Sequence, residues 1–281
     1  MKQKILALLF YILPHHAISQ LMFIGARIRW TPAKNAIIRI YTSLNPVKMH
    51  EAVEEDMFAY ESLNAFFTRA LKPECRPFDD NPDNWLCPVD GEVSQAQAIE
   101  NGRVFQAKGQ SYSLLELVGG DEELAEIFKN GNFATLYLSP RDYHRIHMPT
   151  TGTLKRMRYI PGRLFSVATY VVENIPRLFA RNERSVCYFE TEQGPMVMIL
   201  VGAINVSATE TVWHGLIDSE AKKIRSFDYS DQDIVLQRGD EMGRFNLGST
   251  VIVLSTDRMQ IDEKITGGNE VKLGQCLAKP S

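Results

Sequence analysis

From Trp85 to the C-terminus the chain is written in short apolar runs separated by Gly, Pro, Asn and Asp. That texture excludes a helical bundle and requires a strand-rich body. Residues 135–138, 186–189, 196–201, 234–236 and 251–254 are the predicted strands, and turn residues punctuate them closely enough for a mainly antiparallel sheet. Helical insertions are expected at 113–129 and around 174–180. Upstream the pattern is helical. Thr31-Pro32 offers a hydroxyl cap and a first-turn proline, after which Ile37, Ile38 and Tyr41 share a face. Asn45-Pro46 repeats the signal for a short helix. In residues 61–71, Leu63, Phe66, Phe67 and Leu71 recur at helical spacing until Pro73 ends the run. No period of 20–50 residues suggests a repeat array. The expected fold class is therefore α+β, with a helical segment over residues 1–60 and a β-rich body over 61–281.

The N-terminus narrows the setting. Lys2 and Lys4 precede an apolar run over residues 5–13; Pro14 and two histidines interrupt it, and a second apolar stretch over 21–28 contains Arg27. Neither run reaches the roughly 18 to 20 residues a spanning helix needs. A helix pair lying in a membrane interface fits, with Arg27, Arg29 and Trp30 at headgroup depth. A secretory signal ending at Ala17-Ile18-Ser19 and a buried core helix are the competing readings. The interfacial one is favoured because apolar character resumes past residue 19 and ends in an aromatic and basic boundary.

A formal net charge of -3 provides no global field to draw the chain onto nucleic acid. Cys75, Cys87, Cys187 and Cys276 lack both the paired spacing of a zinc site and the density of a disulfide scaffold, so they are expected as thiols.

Three segments carry chemistry. In Leu247-Gly248-Ser249-Thr250, just before an apolar strand, glycine lets a strained backbone bring the serine hydroxyl onto the preceding carbonyl. Attack of Ser249 on Gly248 converts the amide to an ester. Elimination across Cα and Cβ of Ser249 then releases the upstream chain as a carboxylate, and hydrolysis of the resulting dehydroalanine leaves a pyruvoyl group and ammonia. In Tyr143-His144-Arg145-Ile146-His147-Met148-Pro149, a histidine can serve as the base for such a serine. Zinc is the rival, but the flanking prolines oppose a helix, the two rings would face opposite ways in a strand, and no third ligand follows; no metal is expected. In Cys87-Pro88-Val89-Asp90-Gly91, Asp90 serves turn chemistry or accepts a hydrogen bond from an imidazole.

These segments, in this order, resemble the phosphatidylserine decarboxylases of the short bacterial type. The match extends to Asn64-x-Phe66-Phe67-Thr68-Arg69-x-Leu71-Lys72-Pro73, Arg76-Pro77, Gly162-x-Leu164-Phe165-Ser166-Val167 and Val201-Gly202-Ala203. Cys87-Pro88-Val89 departs from the family's usual serine and alanine around the proline. The resemblance implies self-cleavage between Gly248 and Ser249 into a large β chain (1–248) and a small α chain (249–281), which stay together as a heterodimer. It implies a processing triad of Asp90, His147 and Ser249, and a pyruvoyl cofactor made from Ser249 that forms a Schiff base with the substrate. His144 is implied to assist decarboxylation, and we expect it as the proton donor. Phosphatidylserine and a membrane surface are the implied partners, on the cytoplasmic face of a bacterial inner membrane, with self-association left open. Lys155, Arg156, Arg158 and Arg163 are either a phosphate-binding cluster or a solvated charged face. A zinc hydrolase and a non-catalytic membrane scaffold are the rival functions; both leave the chain uncleaved.

Overall fold

The most apolar run of the sequence becomes the centre of the molecule. In the computed structural model, which describes residues 7, 10–204, 209–217, 222–246 and 249–281, Met196–Val201 and Ser249–Ser255 are buried at every position and lie side by side. Neither alternates in polarity, as expected of strands covered on both faces.

In chain order the helices are α1 (His15–Ala26), α2 (Thr31–Leu44), α3 (Leu63–Phe67), α4 (Leu114–Leu117), α5 (Glu122–Phe128), α6 (Thr169–Val172) and α7 (Leu178–Arg181). The strands are β1 (Trp85–Leu86), β2 (Gly91–Ala98), β3 (Arg103–Ala107), β4 (Gln110–Ser113), β5 (Asn132–Leu138), β6 (Arg145–His147), β7 (Gly152–Ile160), β8 (Arg184–Thr191), β9 (Met196–Val201), β10 (Thr209–Thr211), β11 (Gly215–Leu216), β12 (Arg225–Asp228), β13 (Val235–Leu236), β14 (Glu241–Phe245), β15 (Ser249–Ser255), β16 (Met259–Ile261), β17 (Glu270–Val271) and β18 (Cys276–Pro280). The large sheet runs β12-β7-β8-β9-β15-β5-β2-β17, with β13 also on β7, and every pairing is antiparallel. A second sheet runs β11-β10-β14-β6. The expected α+β fold with a mainly antiparallel sheet is what forms.

The differences from expectation have local causes. The insertion at 113–129 is two helices, because Gly119 and Gly120 both take positive φ and break it. The one at 174–180 is replaced by α6 and α7 on either side of Ile175 and Pro176. Helix α2 begins at Thr31 as expected, but no side chain caps it; Asn45 ends it, and only a single turn of 3-10 helix, Met49–Glu51, follows. The helix expected over 61–71 is confined to α3, where the Ser62 hydroxyl accepts from the Ala65 N–H. All four cysteines are free.

A small second core joins Ala26 and Ile38 to Leu63, Phe66 and Phe67, so it crosses the expected boundary at residue 60. Buried Lys34 donates to the Phe58 and Tyr60 carbonyls and closes this core on one side. Helix α1 docks on the β body instead: Ser19 donates to the Ile204 carbonyl, and the Leu164 N–H donates to His15. Its opposite face leaves Leu21 and Ile24 exposed, and Ile28, just past its end, is exposed as well. No helix among the described residues is long and apolar enough to cross a membrane.

Candidate active site

Three residues, 246–248, carry the chain from β14 in the small sheet to β15 at the centre of the large one. Leu247 and Gly248 lie outside the described residues; both flanks are defined. On one side the Phe245 N–H donates to the His144 carbonyl, at 3.1 Å. On the other, Ser249 pairs with Leu138, the last residue of β5. Leu138 is followed by a tight turn, in which the Ser139 N–H donates to Asp142 Oδ2 at 2.7 Å, and then by Tyr143 and His144. Ser249 and His144 thus bracket the sheet-to-sheet junction.

Both carry a buried atom without a partner. Ser249 is fully buried, and its Oγ has no hydrogen-bond partner among the described residues. His144 is also fully buried, against the Phe67 ring at 3.9 Å between centroids. Its Nδ1 lies 2.9 Å from the Asp142 carbonyl, which can only accept, so Nδ1 carries the proton and Nε2 presents an unshared lone pair. Burial pushes its pKa down to about 3, opposed by the Asp142 carbonyl and reinforced by Arg69.

His147 has a different setting. Its Nδ1–H donates to the Gly239 carbonyl at 2.7 Å, and its Nε2 accepts from the Tyr143 hydroxyl at 2.9 Å. Gly239 takes φ +87°, and a Cβ there would meet Phe78 at 2.2 Å, so only glycine presents this carbonyl. Burial again lowers the histidine pKa, against the Gly239 bond and the charges of Glu241 and Asp90. The hydroxyl of Tyr143 is the functional candidate missed in the sequence, although it opens the histidine motif one helical turn before His147.

Asp90 does not meet an imidazole. Its carboxylate accepts from Arg76 Nε at 2.8 Å and Nη2 at 2.5 Å, and from the Leu273 N–H at 2.9 Å; Arg76 Nη2 also reaches Glu51 at 2.6 Å. Nor is Asp90-Gly91 a hairpin turn. Gly91 opens β2 so close to β5 that a Cβ would meet the Tyr137 carbonyl at 2.2 Å. Since β2 and β15 flank β5, Asp90 and Ser249 come to the same end of the sheet, about 10 Å apart by strand spacing. The Asp90 loop still touches His147 through its backbone, the His147 N–H donating to the Pro88 carbonyl.

A cavity of about 380 Å³ opens beside this end of the sheet, with Asp90, Tyr137, Ser139 and Tyr143 in its wall. A second, about 430 Å³, reaches His147 past Leu71, Pro73, Pro77 and Phe78; Arg76 and Tyr143 line both. The basic cluster read in the sequence lies elsewhere and is largely paired: Lys155 with Glu190, Arg156 with Glu123, Arg158 with Asp121. Among the described residues no three His, Cys, Asp or Glu side chains gather in a metal-ligating group.

Comparison with known proteins bears on the family of the chain. A family model described as phosphatidylserine decarboxylase matches residues 63–279, and one described as PSD matches residues 5–42. The chain is 50% identical to the phosphatidylserine decarboxylase proenzyme of Pseudomonas entomophila (strain L48), covering 100% of this chain and 99% of that protein. It is 52% identical to the proenzyme of Pseudomonas aeruginosa (strain LESB58), over 96% and 95% of the two chains. The proenzyme of Ectopseudomonas mendocina (strain ymp) is likewise 52% identical, over 99% and 98%.

Proposed function

The chain belongs to the phosphatidylserine decarboxylase family, and from that premise we propose that Ser249, His147, Asp90 and His144 run its self-cleavage and its decarboxylation. It is a carboxy-lyase that converts phosphatidylserine to phosphatidylethanolamine and carbon dioxide, and it is made as a self-processing proenzyme. The bracketing of the junction by buried, unpartnered Ser249 Oγ and by His144 is the observation that carries the assignment of residues.

In cleavage, Ser249 Oγ attacks the Gly248 carbonyl, and its proton passes to His147. The proton reaches Nε2 through the Tyr143 hydroxyl, which already donates there. Gly239 fixes the tautomer that makes Nε2 the base. Asp90, held by Arg76, supports the imidazolium by its charge through space rather than by a hydrogen bond. Elimination frees a carboxylate on Gly248 and, after hydrolysis, leaves a pyruvoyl group at position 249, which supplies an electron sink for the departing carbon dioxide. A dry, fully buried position at the head of β15 suits that group. His144 cannot donate from Nε2 while neutral. The negative charges of a substrate brought to Ser249 raise its pKa and make it the proton donor to Cα.

Cleavage leaves the two chains joined. β15 is paired along both edges, to β5 and β9, and β17 and β18 pair with β2 and β1 of the large chain. Denaturing mass spectrometry should find residues 1–248 and 249–281 separately, with the second resistant to Edman degradation because a pyruvoyl group has no free amine. A single 31.9 kDa species in active protein overturns the cofactor assignment.

Exposed Leu21, Ile24, Ile28 and Trp30 support peripheral contact of the N-terminal segment with a membrane surface. Deleting residues 1–30 should move the protein from the vesicle pellet to the supernatant while self-cleavage continues. Retention in the pellet would place the anchor elsewhere.

A further inference from the structure

The larger share of the wall of the 380 Å³ cavity is charged, and most of its charges cancel. Arg76 is held by Asp90 and Glu51, and Arg141 by Glu270 at 3.1 Å. Three cations in the wall have no ion pair among the described residues: Lys48, Arg69 and Lys272. They come from three distant parts of the chain, the turn after α2, the end of α3 and the residue after β17.

Arg69 is the unusual member. It is 4% exposed, yet no carboxylate pairs with it. Nη2 donates to the Arg141 and Asp142 carbonyls at 3.2 and 3.3 Å, and Nε and Nη1 have no partner. Asp90 and Asp142 act on it only through space, and a buried guanidinium with two donor atoms left unmade is costly. An arrangement of this kind is complete only when an anion enters. Lys48 and Lys272 are exposed, so unpaired cations reach from the buried guanidinium to the mouth, with Glu92 in the same wall and Glu51 within the field of both lysines. Leu44, 75% exposed on the last turn of α2, stands just ahead of Pro46, Val47 and Lys48 in the wall, as an acyl chain leaving the mouth would require.

We propose that Arg69, Lys48 and Lys272 bind the phosphodiester of the phosphatidylserine headgroup, which orients the serine end toward Ser249. The proposal rests on the assignment of Ser249 as the reacting centre. The substrate also carries a carboxylate, but that group loses its charge as carbon dioxide leaves. A cation paired to it would stabilise the ground state more than the transition state and slow the reaction. The phosphodiester keeps its charge throughout, so holding it lowers KM without opposing kcat. The N-terminal segment then contributes to the substrate site through Lys48.

Two measurements test this on the purified, self-cleaved protein. The first is turnover of phosphatidylserine held at low mole fraction in neutral detergent micelles, which keeps the surface charge that attracts the exposed lysines small. Lys48→Ala/Lys272→Ala should raise KM about tenfold and change kcat by less than about threefold. Arg69→Lys, which keeps the charge but loses the planar fork, should do the same. The second is calorimetric binding of glycerophosphoethanolamine, which has the phosphodiester and no carboxylate, against serine, which has the reverse. The double lysine variant should lose about tenfold in affinity for the first and nothing for the second. An unchanged KM together with unchanged glycerophosphoethanolamine binding overturns the proposal, and so does a loss confined to serine. Binding is read without turnover, so a protein that binds as expected but neither cleaves nor releases carbon dioxide leaves the phosphodiester site standing and defeats the assignment of Ser249.

Discussion

His144 and His147 sit three residues apart, one just before and one at the end of the short strand β6, in opposite physical settings. Around His144 the protein withholds partners: a phenyl ring covers one face, a single carbonyl takes the Nδ1 proton, and Nε2 is left bare in the dark. Around His147 it supplies them: a carbonyl fixes Nδ1, a phenol engages Nε2, and an apolar cavity reaches the ring. The second has both ring nitrogens engaged before any substrate arrives, as the proposed base requires. The first is an incomplete site, whose missing partner must come from outside. On the roles proposed above, one short segment serves a reaction the protein performs on itself and another it performs on a lipid.

Single substitutions break the comparison most directly. Ser249→Ala and His147→Ala should leave the chain uncleaved on a denaturing gel, the one for lack of a nucleophile and the other for lack of a base. His144→Ala should still cleave, at least partly, and yet release carbon dioxide at least about 100-fold more slowly, the usual loss for a general acid. If His144→Ala blocks cleavage as fully as His147→Ala and its cleaved fraction decarboxylates normally, the two roles are reversed.

A smaller effect sharpens the contrast. Tyr143→Phe removes the hydroxyl that donates to His147 Nε2, the relay proposed for the Ser249 proton, while keeping the ring that stacks on the imidazole at 5.7 Å. Self-cleavage should slow about tenfold, a cost of roughly 1.4 kcal/mol, followed as loss of uncleaved chain with time. Asp90→Asn should slow it too, by weakening the charge support of His147. Cleavage at the wild-type rate in Tyr143→Phe would mean that Ser249 reaches His147 without the phenol.

The strands were legible because a buried antiparallel sheet needs unbroken apolar runs, and Met196–Val201 coincides with one. The residues proposed to react could be named because the motifs that carry the resemblance, Gly248-Ser249 and His144-x-x-His147, are local in sequence. What stayed hidden depends on long-range placement. Nothing near Asp90 announces that Arg76 will take its carboxylate, since that follows from how the turn at Pro73–Cys75 folds back onto β2. Lys48, Arg69 and Lys272 are isolated along the chain and meet only through tertiary structure, whereas the contiguous basic run 155–163 drew attention and is largely spent on Asp121, Glu123 and Glu190. The tight contact between Gly91 and Tyr137 mimics, in sequence, an ordinary Asp-Gly turn.

The last prediction concerns acid stability, measured apart from either reaction, and separates the two histidines by degree. Burial holds the folded-state pKa of His144 down to about 3 and that of His147 below its ordinary value of 6.5. A histidine whose folded pKa is depressed contributes stability that is fully present above 6.5. That stability is lost as pH falls toward the folded value, because the unfolded chain takes up the proton first. Each such group therefore steepens the acid side of the stability curve by at most about 1.4 kcal/mol per pH unit. Asp142, raised by burial, acts in the opposite sense, losing stability as pH rises, and cancels when two variants that both retain it are compared. Urea unfolding of uncleaved Ser249→Ala, with and without His144→Asn, from pH 7 to pH 4 isolates the His144 contribution. The double variant should show the shallower loss across that whole window. Equal slopes would mean that His144 takes up a proton in the folded state at ordinary pH, and its dry, partner-poor setting would then be wrong.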